Sequence, residues 1–332
     1  MTTTSPRAKI AIYWAASCGG CEVSFLNLDH ALLELDRSCE LVFCPCLMDA
    51  KRCDLEAMAD ASIDITLLNG GIRTTENLAM ARLLRQKSRL LIAFGACAEG
   101  GGVPALANPE GKERLLERVY ARRGNEVSSG NINVTPAITD SDQLALPQLL
   151  ERIMSVAEVV RIDGTIPGCP PEPAPLLAAL NTLLGAHSPA DELLGCTPQR
   201  AVCEECPRER RQQRAQRLVR TCAAIPEDNW CLLEQGFPCL GMATRGGCGG
   251  GCPAVNMPCT GCYGPLDPDA LPVAAALTAL AAAIAPLASQ PAPDAEVRNA
   301  YRNALAAIAD PWGTLCRYGA AMRPPAVSGE SQ

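Results

Sequence analysis

Cysteine constrains this chain more than any other residue type. Its 332 residues include 19 cysteines, several times the usual share, and they concentrate between Cys203 and Cys262. An odd number fits a disulfide framework poorly. The amino terminus shows no charged stretch followed by an apolar segment and a cleavage site, so we expect a cytoplasmic protein, and disulfides are rare in that compartment. The cysteines therefore indicate metal binding.

The remaining composition argues against two classes of partner. The net charge is −7 and no basic run is long enough to suggest a nucleic-acid partner. The most apolar stretch, residues 271–288, is mostly alanine with prolines near both ends. Alanine gains little from lipid, so this stretch predicts a packed helix and no membrane span.

The first half of the chain alternates buried strands with helices. Apolar runs predict strands at 9–14, 40–43, 63–69, 90–95 and 158–162. Helical spacing of apolar residues predicts helices at 23–35, 75–87 and 174–184. This alternation is typical of an α/β fold with a doubly wound parallel sheet, here over residues 8–185.

Four cysteines follow the predicted strands of this sheet. Cys18 and Cys21 come just after the first strand, Cys97 after the strand at 90–95, and Cys169 after the last strand. Because the carboxyl ends of parallel strands meet at one edge, we expect these four thiols to form one metal site.

The second half has a different composition. Residues 186–202 are predicted to be a linker, and residues 203–268 are rich in Cys, Gly and Pro. A segment with so few core-forming residues cannot offset its ordering entropy by burial, so we expect metal ligation to fold this irregular domain. Residues 269–322 are predicted to be a C-terminal helical segment.

Spacing divides the cysteines of this domain into two further sets of four. The sets are Cys203, Cys206, Cys231 and Cys239, and Cys248, Cys252, Cys259 and Cys262. Cys222 is the main alternative ligand for the first of them. Four thiolates are the ligand set of a [4Fe–4S] cluster, so three clusters are predicted in all. Zinc also binds such pairs, which leaves a zinc-stabilised, non-catalytic interaction protein as an alternative.

Other candidate residues have weaker signals. The unassigned cysteines are residues 39, 44, 46, 53, 196, 222 and 316. We interpret most of them as small buried residues or as thiols without a metal-binding role. Cys44, Cys46 and Cys53, however, are close enough in sequence for a fourth metal site. Neither His30 nor His187 is favoured as a ligand. Glu22 is interpreted either as a carboxylate near a helix N-terminus or as a proton carrier at an interface.

Six motifs carry a family resemblance over nearly the whole chain. They are SCGGCEVSFLNL, FGACAEGGGVPALAN, IPGCPPEP, VCEECPRER, CLLEQGFPCLGMATRGGCGGGCP and NMPCTGCYGP. The chain resembles the small subunit of a [NiFe] hydrogenase. It is most similar to the cytosolic, methyl-viologen-reducing type that couples to heterodisulfide reductase.

The resemblance implies a flavodoxin-like first domain and an order for the three sets. Cys18, Cys21, Cys97 and Cys169 would hold the proximal cluster, Cys248, Cys252, Cys259 and Cys262 the medial one, and Cys203, Cys206, Cys231 and Cys239 the distal one. Exported uptake hydrogenases have a histidine where this chain has Cys203, and usually lack the fourth medial ligand that Cys252 supplies. Both departures fit a cytosolic enzyme that passes low-potential electrons.

The resemblance also implies partners. The nickel–iron centre needs two further cysteine pairs that this chain lacks, so no catalytic residue is expected here and a large subunit must carry the active site. The expected acceptor is a small [2Fe–2S] subunit that leads to a flavin-containing, heterodisulfide-reductase-like subunit. One alternative remains open, a complex whose large subunit has lost nickel and serves another redox reaction. A second alternative, the quinone-reductase subunit of respiratory complex I, uses adjacent cysteines for its single cluster and lacks the cysteine-rich second half. The Cys18-Gly-Gly-Cys21 spacing and the later cysteine sets argue against it.

Overall fold

A five-stranded parallel sheet organises the first half of the chain. The computed structural model of the protein describes residues 7–120, 147–185, 200–215, 217–267, 270–284 and 294–322. The strands of this sheet are β1 (Ala8–Trp14), β2 (Cys39–Phe43), β3 (Ile63–Asn69), β5 (Ser88–Phe94) and β7 (Gly164–Ile166). The short strands β4 (Ile72–Thr74) and β6 (Leu149–Met154) form a separate antiparallel pair.

The strand order confirms the predicted doubly wound architecture. The order is β2-β1-β3-β5-β7, and all neighbours are parallel. This is the flavodoxin-like order, in which the winding direction reverses between β1 and β3. Ligands of such sheets bind in the crevice at the carboxyl ends of the strands near that reversal.

Helices lie on both faces of the sheet and continue into the second half. Those of the first half are α1 (Gly20–Leu26), α2 (Ala31–Ser38), α3 (Arg52–Ala57), α4 (Thr75–Lys87), α5 (Ala96–Gly100), α6 (Lys112–Tyr120) and α7 (Pro173–Gly185), with a 3-10 helix at Val103–Glu110. Those of the second half are α8 (Val202–Glu205), α9 (Gly251–Ala254), α10 (Pro272–Ile284), α11 (Asp294–Ala307) and α12 (Pro311–Leu315).

The alternation of side chains along β1 gives the sheet two buried faces. Ile12 packs on one face against Leu180 of α7. Tyr13 packs on the other face against Leu84 of α4. Because both faces are covered, the strands consist of nearly continuous apolar residues, as is typical of parallel sheets.

Two sequence predictions about local structure are wrong. The predicted strand at 158–162 is a turn, in which the N–H groups of Val159 and Val160 donate to the Val156 carbonyl. Its apolar side chains pack against the core from that turn, and the fifth strand is β7 instead. The predicted helix at 23–35 is divided into α1 and α2, because Asp29 between them adopts a positive φ of 50°.

The second half has little regular structure before its C-terminal helices. Short bridges such as Ala201 with Arg245 and Thr244 with Pro265 hold its loops together. A separate core forms where Phe237 packs with Leu280 and Leu315. Most of the predicted linker, with His187 and Cys196, lies outside the described residues. In the parts of the chain that the structure describes, every helix is too short or too polar to cross a lipid bilayer.

A buried ion pair joins the two halves of the molecule. Arg245 Nη2 lies 2.7 Å from Glu99 Oε1, and both side chains are only 13% exposed. Burial raises the pKa of Glu99, while the Arg245 guanidinium opposes that shift. Nearby, the Ala321 N–H donates to the Gly100 carbonyl at 3.1 Å. The C-terminal segment therefore closes over α5, the helix that carries Cys97.

Replacing Glu99 with alanine should destabilise the junction strongly. Removing one partner of a buried ion pair costs about 3 to 5 kcal/mol, because the other charge stays buried without compensation. We expect the thermal midpoint of the holoprotein to fall by on the order of 10 °C at a fixed scan rate. The matched control is Glu56→Ala, which removes an exposed pair of the same 2.7 Å length to Arg52. If the two substitutions lowered the thermal midpoint equally, the buried Glu99–Arg245 pair would not stabilise the junction more than an exposed pair does.

Candidate metal centres

The sheet delivers four predicted ligands to one edge. The carboxyl ends of four strands are level with one another. Asn69 of β3 pairs with Trp14 of β1 and with Phe94 of β5, and Phe94 pairs with Ile166 of β7. The ligands themselves are Cys18 in the turn after β1, Cys21 in the first turn of α1, Cys97 in the first turn of α5 and Cys169 after β7. The predicted convergence of these segments is therefore seen in the structure.

These four thiols are close enough to affect one another. Burial raises the pKa of Cys21 above its usual range, and the neighbouring Glu22 carboxylate and the thiols of Cys97, Cys169 and Cys18 raise that pKa further. Burial raises the pKa of Cys97 to about 12, with added contributions from Cys169 and Cys18. Thiolates that repel one another in a buried place are stable only around a cationic group. The donor set fits an iron–sulfur cluster.

Two glycines leave room for the sulfurs of this set. A Cβ atom on Gly95 would overlap the Cys21 Sγ atom, and one on Gly102 would overlap the Cys97 Sγ atom. Both residues have positive φ, 85° and 57° respectively, which side chains other than glycine rarely adopt. The backbone at Gly95 and Gly102 can therefore lie close to the Cys21 and Cys97 sulfurs.

The cysteines predicted as the distal set line one cavity of about 430 Å³. They are Cys203, Cys206, Cys231 and Cys239. Burial raises the pKa of Cys203, whereas the Arg210 guanidinium, which donates a hydrogen bond to its sulfur, lowers it. The alternative ligand Cys222 lines a separate cavity of about 260 Å³.

The cysteines predicted as the medial set lie between the other two sets. Burial raises the pKa of Cys262 to about 12, and the thiols of Cys252, Cys169 and Cys248 raise it further. Burial also raises the pKa of Cys259, and the next contribution comes from Cys239. This set therefore touches both of its neighbours.

Two backbone hydrogen bonds connect the three sets in series. The Cys169 N–H donates to the Cys262 sulfur, which joins the sheet-edge set to the medial set. The Cys259 N–H donates to the Cys239 sulfur at 3.3 Å, which joins the medial set to the distal set. The assignment of the three sets to proximal, medial and distal clusters stays a prediction.

In the described part of the chain, no three Cys, His, Asp or Glu side chains converge closely enough to hold a single metal ion. A cubane is a larger group, with its four cysteine ligands arranged around it at separate iron atoms.

The remaining predicted residues lie as follows. Glu22 is buried in the first turn of α1, where Asn69 Nδ2 donates to its Oε1 atom and Oε2 has no hydrogen-bond partner. His30 is exposed and directly precedes α2. Cys44 and Cys46 touch, with 3.4 Å between their sulfurs, while the sulfur of Cys53 lies 3.9 Å from Asp54 Oδ1.

Sequence patterns missed three side chains that contact the ligands. The Tyr318 hydroxyl hydrogen-bonds the Cys169 sulfur, Arg210 contacts Cys203, and the Cys259 thiol lies 3.7 Å from Thr244 Oγ1. Tyr318 is far from Cys169 in the chain, and no spacing rule connects them. Arg210 lies in the VCEECPRER motif, seven residues after Cys203. That short separation in sequence could have predicted their contact.

Comparison with protein families gives a match to half of the chain. The family described as NADH ubiquinone oxidoreductase, 20 Kd subunit, matches residues 18–183, which span the sheet and the first cysteine set.

Curated relatives extend the similarity into the second half. The iron-sulfur subunit of the F420-non-reducing hydrogenase of Archaeoglobus profundus is 34% identical over 267 residues, covering 78% of this chain and 83% of the relative. A vhu subunit of the F420-non-reducing hydrogenase of Methanocaldococcus jannaschii is 36% identical over 259 residues, covering 78% of this chain and 82% of the relative. Among solved structures, the [NiFeSe]-hydrogenase of Dm. baculatum matches with a TM-score of 0.50 at 19% identity, over 80% of this chain and 97% of that one. This last likeness concerns the fold alone.

Gly95→Ala should disrupt the sheet-edge set alone. The new methyl group must displace the Cys21 sulfur, so we expect the iron content of the anaerobically purified protein to fall by about four atoms per chain, one cubane. Iron and acid-labile sulfide analysis would measure the loss. The matched control is Gly111→Ala, because Gly111 also has a positive φ, 72°, but its Cβ would meet nothing within 4 Å. Equal iron loss in both variants would assign the effect to backbone strain rather than to the sulfur.

Proposed function

Because the chain belongs to the family of hydrogenase small subunits, we propose that it relays electrons from H2 oxidation on a [NiFe] large subunit to a redox partner through three [4Fe–4S] clusters. The single observation that carries this proposal is the serial connection of three cysteine sets by the N–H groups of Cys169 and Cys259. Each cluster, when bound, supplies a one-electron redox centre.

We assign the ligands of each cluster from the three sets. The proximal cluster takes Cys18, Cys21, Cys97 and Cys169, the medial cluster takes Cys248, Cys252, Cys259 and Cys262, and the distal cluster takes Cys203, Cys206, Cys231 and Cys239. The holoprotein then contains about twelve iron atoms per chain. A colourless preparation with about three zinc ions and no acid-labile sulfide would establish the zinc alternative instead.

The chain's own groups tune these sites. The Tyr318 hydroxyl and the Cys169 and Cys259 N–H groups donate to ligand sulfurs. Donors to sulfur stabilise negative charge there, which raises the reduction potential. Arg210 adds a positive charge beside Cys203 with the same effect. The fold therefore supplies binding, orientation and electrostatics, while the hydrogen chemistry belongs to the large subunit.

The large subunit is proposed to dock at the sheet edge. Cys18 is exposed there, and the neighbouring Trp14, Val23 and Leu26 side chains are 43%, 55% and 45% exposed. Large apolar side chains grouped on a surface mark protein interfaces. Docking at this edge would bury the proximal cluster against the large subunit.

The electron acceptor is proposed to dock at the distal set. Arg210 and Arg214 are exposed and line the cavity of that set. Their charge favours a partner with an acidic surface, which suits the small [2Fe–2S] subunit that would lead to a flavin-containing, heterodisulfide-reductase-type subunit in the cytoplasm. A complex whose large subunit lacks nickel is the second candidate, and the cysteine pairs of that partner's sequence would decide between them.

Cys252→Pro should alter the medial centre alone. The fourth ligand is lost, so we expect the medial EPR signal of the reduced protein to change or weaken while the proximal and distal signals persist. Cys222→Ser is the matched control, because Cys222 is also exposed but belongs to no set. Loss of the proximal signal in Cys252→Pro, or iron loss in Cys222→Ser, would show that the ligands are grouped wrongly.

Arg214→Glu should slow electron transfer to an acidic acceptor. With H2 as donor and the large subunit present, we expect on the order of a tenfold lower rate with an acidic [2Fe–2S] ferredoxin at low salt, because charge complementarity mainly sets the association rate. The rate with a neutral dye should be unchanged. Arg114→Glu, on the exposed side of α6, is the matched control. If the rate fell similarly in both variants, or with the dye as acceptor, the acceptor would not dock at this surface.

A further inference from the structure

One pair of cysteines lies in contact outside the three cluster sets. Cys44 and Cys46 occupy the turn after β2, and their sulfurs are 3.4 Å apart. The N–H groups of Leu47 and Met48 both donate to the Cys44 carbonyl, at 2.9 and 3.0 Å. Pro45 stands at the position of such a turn where its fixed φ is favoured. The turn therefore holds the two sulfurs side by side.

The two thiols differ in their access to solvent. Cys44 is fully buried, whereas Cys46 is exposed. Burial, together with the adjacent Cys46 thiol, raises the pKa of Cys44 to about 12. A reagent arriving from solvent therefore reaches the Cys46 sulfur first. Cys44 lies beneath it and stays a protonated thiol.

The pair also lies beside the first strand of the sheet. β2 is the neighbour of β1, and its last residue, Phe43, is level with Ala11, three residues before the end of β1. Cys44 belongs to the same buried cluster as Cys21.

We propose that Cys44 and Cys46 are a modification site at which a hydroperoxide forms a disulfide that a dithiol reductant reverses. The Cys46 sulfur attacks one oxygen of hydrogen peroxide, the O–O bond breaks, and the thiol proton leaves with the departing oxygen as water. The Cys44 sulfur then attacks the Cys46 sulfenic acid, the S–O bond breaks, and a second water leaves. Two thiols have given two electrons and two protons to one peroxide.

The proposed disulfide is suited to reversal. It would close a small ring at an exposed turn, and strained or exposed disulfides are the ones that reductants open readily. Peroxide reaching this turn would therefore meet a renewable thiol pair. This inference does not depend on the assignment of the clusters.

The test uses the intact complex of this chain with its large subunit. The complex is purified without oxygen, exposed to hydrogen peroxide, and labelled with N-ethylmaleimide under denaturing conditions. We expect the peptide containing Cys44 and Cys46 to be two hydrogen atoms lighter and unlabelled, and to regain both labels after dithiothreitol. Iron measured in the same sample should remain bound.

Two variants make the result specific. Cys46→Ser should reduce the cross-linked peptide to background, and Cys46→Ala should repeat that result. Cys53→Ser removes another exposed thiol of the same segment and should leave the disulfide unchanged. The proposal is overturned if Cys46 becomes sulfinic acid without a disulfide, if either thiol pairs with Cys53 or Cys39, or if iron is lost before the pair reacts.

Discussion

The crowding of buried sulfur atoms is the constraint on which the rest of this molecule depends. Burial is the main cause that raises the pKa of Cys21, Cys259 and Cys262, and other cysteines nearby raise it further. Without a cationic group at their centre, such sets could not hold several thiolates at once. Bound iron would neutralise the sulfurs and would supply folding free energy to a second half that has few regular elements.

The two halves of the chain bring their cysteines together in different ways. In the first half a rigid sheet brings together cysteines that are distant in sequence, and the glycines at 95 and 102 make the space. In the second half the predicted ligands come in short-range pairs, such as Cys203 with Cys206 and Cys259 with Cys262. The Glu99–Arg245 ion pair fixes one half against the other. A relay needs this rigidity, because the sulfur sets contact each other across the junction.

Much of this arrangement followed from sequence patterns, for identifiable reasons. The strand at 63–69 and the helix at 75–87 were predicted with the bounds that the structure has, because buried parallel strands and amphipathic helices have clear periodicities. The run at 158–162 misled because apolar side chains can reach a core from a turn as well as from a strand. Tyr318 could not be found at all, since its contact with Cys169 depends on tertiary folding.

That contact has a consequence for biosynthesis. The segment around Tyr318 is anchored on α5 through the Ala321 N–H, so the surroundings of Cys97 and Cys169 are completed by residues made long after them. The sheet can form while later residues are still being translated, but its sulfur site stays open until that segment arrives. A group bound at the sheet edge would therefore enter most freely before the segment around Tyr318 docks on α5.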